Sequence, residues 1–273
     1  MRARSLAALA ASSLAAAGPL PRIACDWTQP AACLAAAGAP PASFRVDYVT
    51  ERDGLAWSID VVTAWAPPYA ARFWALARIG YHVGAPLYRV DRVEGSPADS
   101  FVAQFGYRGD AAVDALWDAE ATSNATWSVH APGNARGTVA FSMGAATPGE
   151  PHGPGDNPNC TDAEYCAVGF STNIFVNYAN NSRLDAPGFS VFGTVTRGMD
   201  AVDALDNSYG ECAELCGDGT TDPYCVFDAE SGQCAGVSMT QLLDASNPGY
   251  LDAFPSLDRV RNVSVVVAVA DRA

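Results

Sequence analysis

The sequence predicts a mainly-β domain, a barrel or sandwich of eight short strands. Three observations carry this reading. Short alternating or β-branched runs recur along the chain, turn-rich stretches separate them, and few segments have helical period. The 273 residues are 49% hydrophobic and 17% charged, enough core-forming material for one large domain and no signature of disorder.

The strands are expected at 44–51, 56–65, 86–93, 100–106, 137–143, 174–178, 191–196 and 260–269. In 56–65, Trp57, Ile59 and Val61 share one face, and Ser58 and Asp60 the other. The alternation lapses at Val62, which implies cover on both sides there. One helix is expected at 67–79, where Pro67 and Pro68 fit a first turn and Ala71, Phe73, Trp74, Leu76 and Ala77 supply an apolar face. A second is expected at 199–205 from Met199, Val202 and Leu205, and a shorter piece at 239–245. Two polar stretches rich in Gly, Pro and Asp, 147–169 and 211–236, read as surface insertions.

The N-terminus reads as a targeting segment. Arg2 and Arg4 precede an apolar run from Leu6 to Ala17, and the small Ala15 and Ala17 suit cleavage before Gly18. A signal peptide over 1–17 is therefore expected, with an organellar transit peptide as the alternative. The run is shorter than the roughly 20 residues a membrane span needs. Residues 18–43, rich in Ala and Pro, are expected as a leader ahead of a domain at 44–273.

The eight cysteines are Cys25, Cys33, Cys160, Cys166, Cys212, Cys216, Cys225 and Cys234. An even number in loop-like sequence behind a signal peptide reads as disulfides. Locality favours 25–33 and 160–166 and leaves the other four open. Zinc is the rival, but no His lies near 212–234 and the spacing fits no ribbon. The sequons at Asn124, Asn159, Asn180 and Asn262 agree with export. A secreted or secretory-lumen protein is the expectation, an organelle lumen the alternative.

Composition also excludes chemistry. The net charge of −14 disfavours nucleic acid and acidic lipid as partners. All 16 basic residues are Arg, so Schiff-base lysine chemistry and a P-loop are ruled out. His82, His130 and His152 are scattered and make no triad. Gly217-Asp218-Gly219 lacks an EF-hand register, so no metal and no cofactor is expected.

Several pieces together resemble the cyclophilin family of peptidyl-prolyl cis-trans isomerases. Ala66-Pro67-Pro68-Tyr69-Ala70-Ala71-Arg72-Phe73-Trp74-Ala75-Leu76 resembles the family's first helix. Leu87-Tyr88-Arg89-Val90 and Phe101-Val102-Ala103-Gln104-Phe105-Gly106 are similar to its "F.R" and "F..Q.G" strands. Arg136-Gly137-Thr138-Val139-Ala140-Phe141-Ser142-Met143 resembles "RG.ISMA", and Ser171-Thr172-Asn173-Ile174-Phe175 its "S.FFI". Leu184-Asp185, Val191-Phe192-Gly193 and Val195-Thr196-Arg197-Gly198-Met199-Asp200 follow in the family's order. Gly109-Asp110-Ala111-Ala112-Val113-Asp114-Ala115-Leu116-Trp117 is similar to a stretch of the bacterial and algal subgroup.

The resemblance implies an eight-stranded antiparallel β-barrel capped by two helices, acting as a monomer on prolyl peptides or unfolded proteins. It implies Arg89 as the catalytic group, and Phe101, Val102, Gln104, Ala145, Asn173, Phe175, Leu184 and Phe189 as substrate-binding residues. The chemistry suits such a set. Prolyl isomerisation needs no nucleophile or metal, only an apolar seat for the ring and a fixed cation for the twisted amide. The departures are Gly144-Ala145-Ala146 for the family's "AN/G", Asn173 for a Gln, Arg183 for a common Trp, and Phe189 near the place of a His. Extra sequence at 91–100 separates Arg89 from Phe101 and threatens the register between their strands.

Overall fold

Strand formation is clearest at Ser43–Thr50 (β1), where Phe44, Val46, Tyr48 and Thr50 are buried and the residues between them half-exposed. Such period-two burial is what a sheet with one covered face requires. Residues 18–52, 54–93, 95–121, 132–146, 166–209, 226–228 and 233–267 are described by a computed structural model, with backbone course alone at 97, 145–146, 226–228, 233–235 and 239–240. The expected signal peptide, Cys160, Cys212, Cys216, Cys225, Asn124, Asn159, His130 and His152 lie outside the described residues.

Before β1 comes a helix, Pro30–Ala37 (α1). After it follow Ala56–Val62 (β2), Pro67–Ile79 (α2), Arg89–Val90 (β3), Val102–Phe105 (β4), Ala111–Ala119 (α3), Thr138–Ala146 (β5), Cys166–Asn177 (β6) and Val191–Arg197 (β7). Met199–Asp203 (α4), Val226–Asp228 (β8), Gln233–Ala235 (β9), Met239–Leu242 (α5) and Val260–Val266 (β10) complete the order. The eight expected strands form one antiparallel sheet in the order β10-β1-β2-β7-β5-β6-β4-β3. The fold class is as the sequence predicts: mainly β, eight antiparallel strands.

The sheet curls until its ends meet. The segment leading into β3 bridges to β10, with Leu87 N donating to the Asp258 carbonyl at 2.8 Å and Val260 N to the Ala85 carbonyl at 3.0 Å. Part of the 18–43 stretch is bonded to the sheet. Leu20 N donates to the Val265 carbonyl on the β10 edge at 2.7 Å, and the Cys25–Cys33 disulfide ties the chain to α1.

α2 runs over its expected residues. Pro67 stands in the first turn, and Gly80 stops the helix at φ 69°, a left-handed conformation that costs glycine little. Tyr69, Phe73, Trp74 and Leu76 are buried under the curl of the sheet. Emptying one such site, as in Phe73→Ala, costs about 3–5 kcal/mol. Two helices escaped the sequence reading. α1 is an Ala run with Pro30 in its first turn, while α3 begins where the Asp110 side chain accepts from Val113 N at 3.2 Å.

Register decides which residues meet the core. Along β4, β5 and β6, Ala103, Phe105, Val139, Phe141, Ile174 and Val176 point into the main hydrophobic core. Val102, Ala140 and Phe175 point the other way and form a separate cluster with Leu184. A sheet with two apolar faces has one to fold with and one left for other uses.

Candidate prolyl-peptide site

Arg89 stands directly opposite Gln104 in the β3–β4 pair, and Gln104 opposite Phe175 in the β4–β6 pair. The extra sequence after Arg89 does not disturb this. Asp91 N donates to the Val102 carbonyl at 2.9 Å and Phe101 N to the Asp91 carbonyl at 2.7 Å, so 91–101 closes as an excursion and register is kept.

The apolar part of the site is the cluster of Val102, Ala140, Phe175 and Leu184, each at most 4% exposed. Phe101 and Phe189, half-buried, pack on its rim. The Phe175 and Phe189 rings meet edge to face with centroids 6.0 Å apart. The guanidinium carbons of Arg89 and Arg183 lie 5.2 and 4.3 Å from the Phe101 ring centre. Phe101 therefore has two cations against its ring. Arg183, a departure already visible in the sequence, adds a second charge to the rim.

The polar part is a relay along the same face. Arg89 Nη1 reaches Gln104 Oε1 at 3.4 Å, and Gln104 Nε2 donates to the Tyr88 hydroxyl at 2.7 Å and to Ser142 Oγ at 3.0 Å. The Tyr88 hydroxyl donates on to Asn173 Oδ1 at 3.1 Å. Gln104 is 2% exposed; a buried amide is tolerated because both of its ends are bonded.

Arg89 also carries a counter-charge. Its Nε donates to Asp91 Oδ2 at 2.6 Å, with the Arg89 side chain 24% exposed and that of Asp91 1%. Residues two apart on an extended chain share a face, so the carboxylate grips the back of the guanidinium. The ion pair fixes the direction of the fork and reduces its net charge at once.

Beneath the cluster lies a network of amides. Asn177 Nδ2 donates to Thr138 Oγ1 at 3.0 Å and to Asn134 Oδ1 at 3.1 Å, and Asn181 Nδ2 to Asn177 Oδ1 at 2.8 Å. Asn134 Nδ2 bonds the Asp185 carboxylate and the Phe189 carbonyl, both at 2.8 Å. These bonds fasten the 182–190 loop, which supplies Leu184 and Phe189, to the sheet.

Of the residues expected from the sequence, Arg89, Phe101, Val102, Gln104, Asn173, Phe175, Leu184 and Phe189 come together on one face. The backbone of Ala145 pairs with Ala167 two strand positions beyond Met143, and its side chain lies outside the description. Sequence reasoning missed Tyr88, Asp91, Ser142 and the three asparagines. Only Asp91 left a signal, its spacing of two from Arg89. Among the described residues no cluster of His, Cys, Asp and Glu could hold a metal. No described helix is long and apolar enough to cross a membrane.

No family model matches the chain. No curated protein matches it either. Among solved structures it is similar to a cyclophilin-type peptidyl-prolyl cis-trans isomerase of Cryptosporidium parvum, at 12% identity and a TM-score of 0.40, over 82% of this chain and 97% of that one.

Proposed function

We propose that the protein is a peptidyl-prolyl cis-trans isomerase that acts on Xaa-Pro bonds of peptides or folding proteins in a secretory lumen. One observation carries the reading: Arg89 and Gln104 face each other at the edge of an apolar cluster that lies apart from the folding core. The proline ring seats on Val102, Phe175 and Leu184 under the Phe189 rim. Gln104 and Asn173 hold the flanking backbone through hydrogen bonds. The Arg89 guanidinium donates toward the prolyl nitrogen, which regains its lone pair only when the amide twists. That bond forms in the transition state and not in the planar amide, so it accelerates the step instead of merely tightening binding.

The amide barrier is about 18–20 kcal/mol, and a rate gain of roughly 10⁵ requires about 7 kcal/mol. One desolvated guanidinium bond supplies a few of those and fixed positioning the rest.

A second reading, a prolyl-peptide-binding module without turnover, is favoured by the Asp91 ion pair, which draws on the same guanidinium. Exchange NMR of a Xaa-Pro peptide separates the two. Under the enzyme reading, wild type speeds cis–trans exchange and Arg89→Ala lowers kcat/KM tenfold or more, each tenfold being about 1.4 kcal/mol. Peptide binding with an unchanged exchange rate establishes the second reading. Full activity in Arg89→Ala overturns the role given to this arginine.

The placement in an oxidising lumen is supported by the Cys25–Cys33 bond, by Cys166, which is disulfide-bonded, and by the exposure of Asn180 and Asn262. Thiol counting by mass spectrometry tests it. Freely alkylated cysteines or bound zinc in the native protein contradict it.

A further inference from the structure

Beside the relay lies a pocket of about 310 Å³ to which the prolyl reading has so far assigned no part of the substrate. Ser142 and Asn173 line it, and both are members of the relay that runs from Gln104. Tyr107 forms another wall, its ring stacked on Tyr88 with centroids 6.1 Å apart. Met143 and Phe170 give the pocket apolar sides, and Asp118 from α3 is the one charged residue of its lining among the described residues.

The Asp118 carboxylate is half-buried and accepts from the Tyr107 hydroxyl at 3.1 Å. No cation among the described residues pairs with it. Burial holds its pKa above the usual carboxylate value, against the pull of the Tyr107 hydrogen bond. The buried carboxylate of Asp114, one helical turn away, adds to the negative potential. Such a pocket is suited to a long side chain with an apolar stem and a cationic head, since the stem covers Met143 and Phe170 while the head meets the carboxylate. The net charge of −14 draws cationic peptides toward the protein as a whole.

We infer that this pocket takes a lysine or arginine side chain flanking the substrate proline, and that Asp118 sets the preference. The inference rests on the prolyl-peptide reading of the neighbouring site. Arg89 and Ser142 are joined through the single amide of Gln104, a span of about two residues of extended chain at roughly 3.3 Å each. A peptide with its proline on Phe175 therefore brings a near neighbour over the pocket.

The test uses four synthetic peptides in fluorescence or NMR titration. One has a proline with Ala flanks, two carry Arg on either side of the proline, and the fourth is an Arg peptide with Ala in place of proline. At least one Arg-Pro peptide binds wild type about tenfold tighter than the Ala-flanked one, and the gain shrinks as salt is raised. In Asp118→Asn that gain is lost, while Asp118→Glu keeps part of it; urea unfolding of both variants confirms that they are folded. Equal affinity for Arg-flanked and Ala-flanked prolyl peptides, or a gain that survives in Asp118→Asn, overturns the inference and leaves the prolyl reading standing. An Arg peptide that binds as well without its proline, or the absence of binding by all four, overturns both.

Discussion

Replacing His82 with glutamine should remove a pH-dependent part of the protein's stability. His82 is fully buried, with Nε2 2.9 Å from the Thr172 carbonyl and Nδ1 2.9 Å from the Tyr48 hydroxyl. A carbonyl only accepts, so Nε2 carries the proton and Nδ1 accepts from Tyr48. The neutral ring is thus satisfied at both ends. A second proton would face a hydroxyl that already donates there, among the rings of Tyr48, Phe73, Tyr81 and Phe105, with Arg108 adding repulsion. Burial, with Arg108 adding to it, lowers the pKa from 6.5 to about 4, although the bond to Thr172 pulls the other way. The unfolded chain takes up the proton near pH 6.5 and the native one only near 4. The associated stability is complete above pH 6.5 and is lost as pH falls toward 4, about 3 kcal/mol in all. Glutamine keeps a donor for Thr172 and does not titrate. Urea unfolding followed by Trp fluorescence, with disulfides intact, gives both stabilities from pH 4 to 8. The wild-type advantage over His82→Gln should shrink by about 3 kcal/mol from pH 7 to pH 4, whatever its constant offset. A difference independent of pH, or one that grows on acidification, refutes the neutral buried imidazole.

Asp114 should show the opposite slope. It accepts from the Tyr81 hydroxyl and from the Arg108 and Gly109 amides, yet burial raises its pKa to about 6. The native state then holds a proton that the unfolded chain has released, so stability falls as pH rises from 4 to 6. Measured against Asp114→Asn, wild type should lose about 2 kcal/mol over that range, and a flat difference contradicts it. Asp91→Asn should alter kcat of prolyl exchange more than KM, because the grip on Arg89 Nε changes while the ring seat does not; equal changes in both point to a structural role alone. Cys25→Ser paired with Cys33→Ser should lower stability by about 2 kcal/mol, as expected for so short a loop, and an unchanged urea midpoint shows that the bond contributes little.

The strands were legible because each alternates or clusters β-branched residues on the face that folds, as Phe44, Val46 and Tyr48 do. α2 was legible from Pro67 and its apolar face. α1 was not, because Pro-Ala-Ala-Cys-Leu-Ala-Ala-Ala has no polar side to reveal a period. α3 did leave a signal, an Asp110 cap with Val113 and Trp117 four apart, but one short motif does not outweigh loop-like neighbours. At the site, Arg89 and Gln104 were found through the resemblance, with each standing out as a polar residue in an otherwise apolar run. The amide network of Asn134, Asn177 and Asn181 joins residues from three segments, and no local pattern announces such a meeting. Asp91 was read as the start of an insertion because pairing between β3 and β4 is what gives its spacing meaning.

The seam of the curled sheet has a consequence for the order of events during synthesis. β1 pairs with β2, its immediate successor, but its other neighbour is β10, with Arg45 opposite Val266. The far edge of β10 in turn receives Leu20. A ribosome releases the β1–β2 hairpin long before β10, so the outer edge of β1 stays open until Val260–Val266 emerge. An open, apolar strand edge is a template for mispairing with another nascent chain. Closure therefore waits on strands far apart in the chain, and the slow, long-range pairing it demands leaves the β1 edge exposed until its partner arrives.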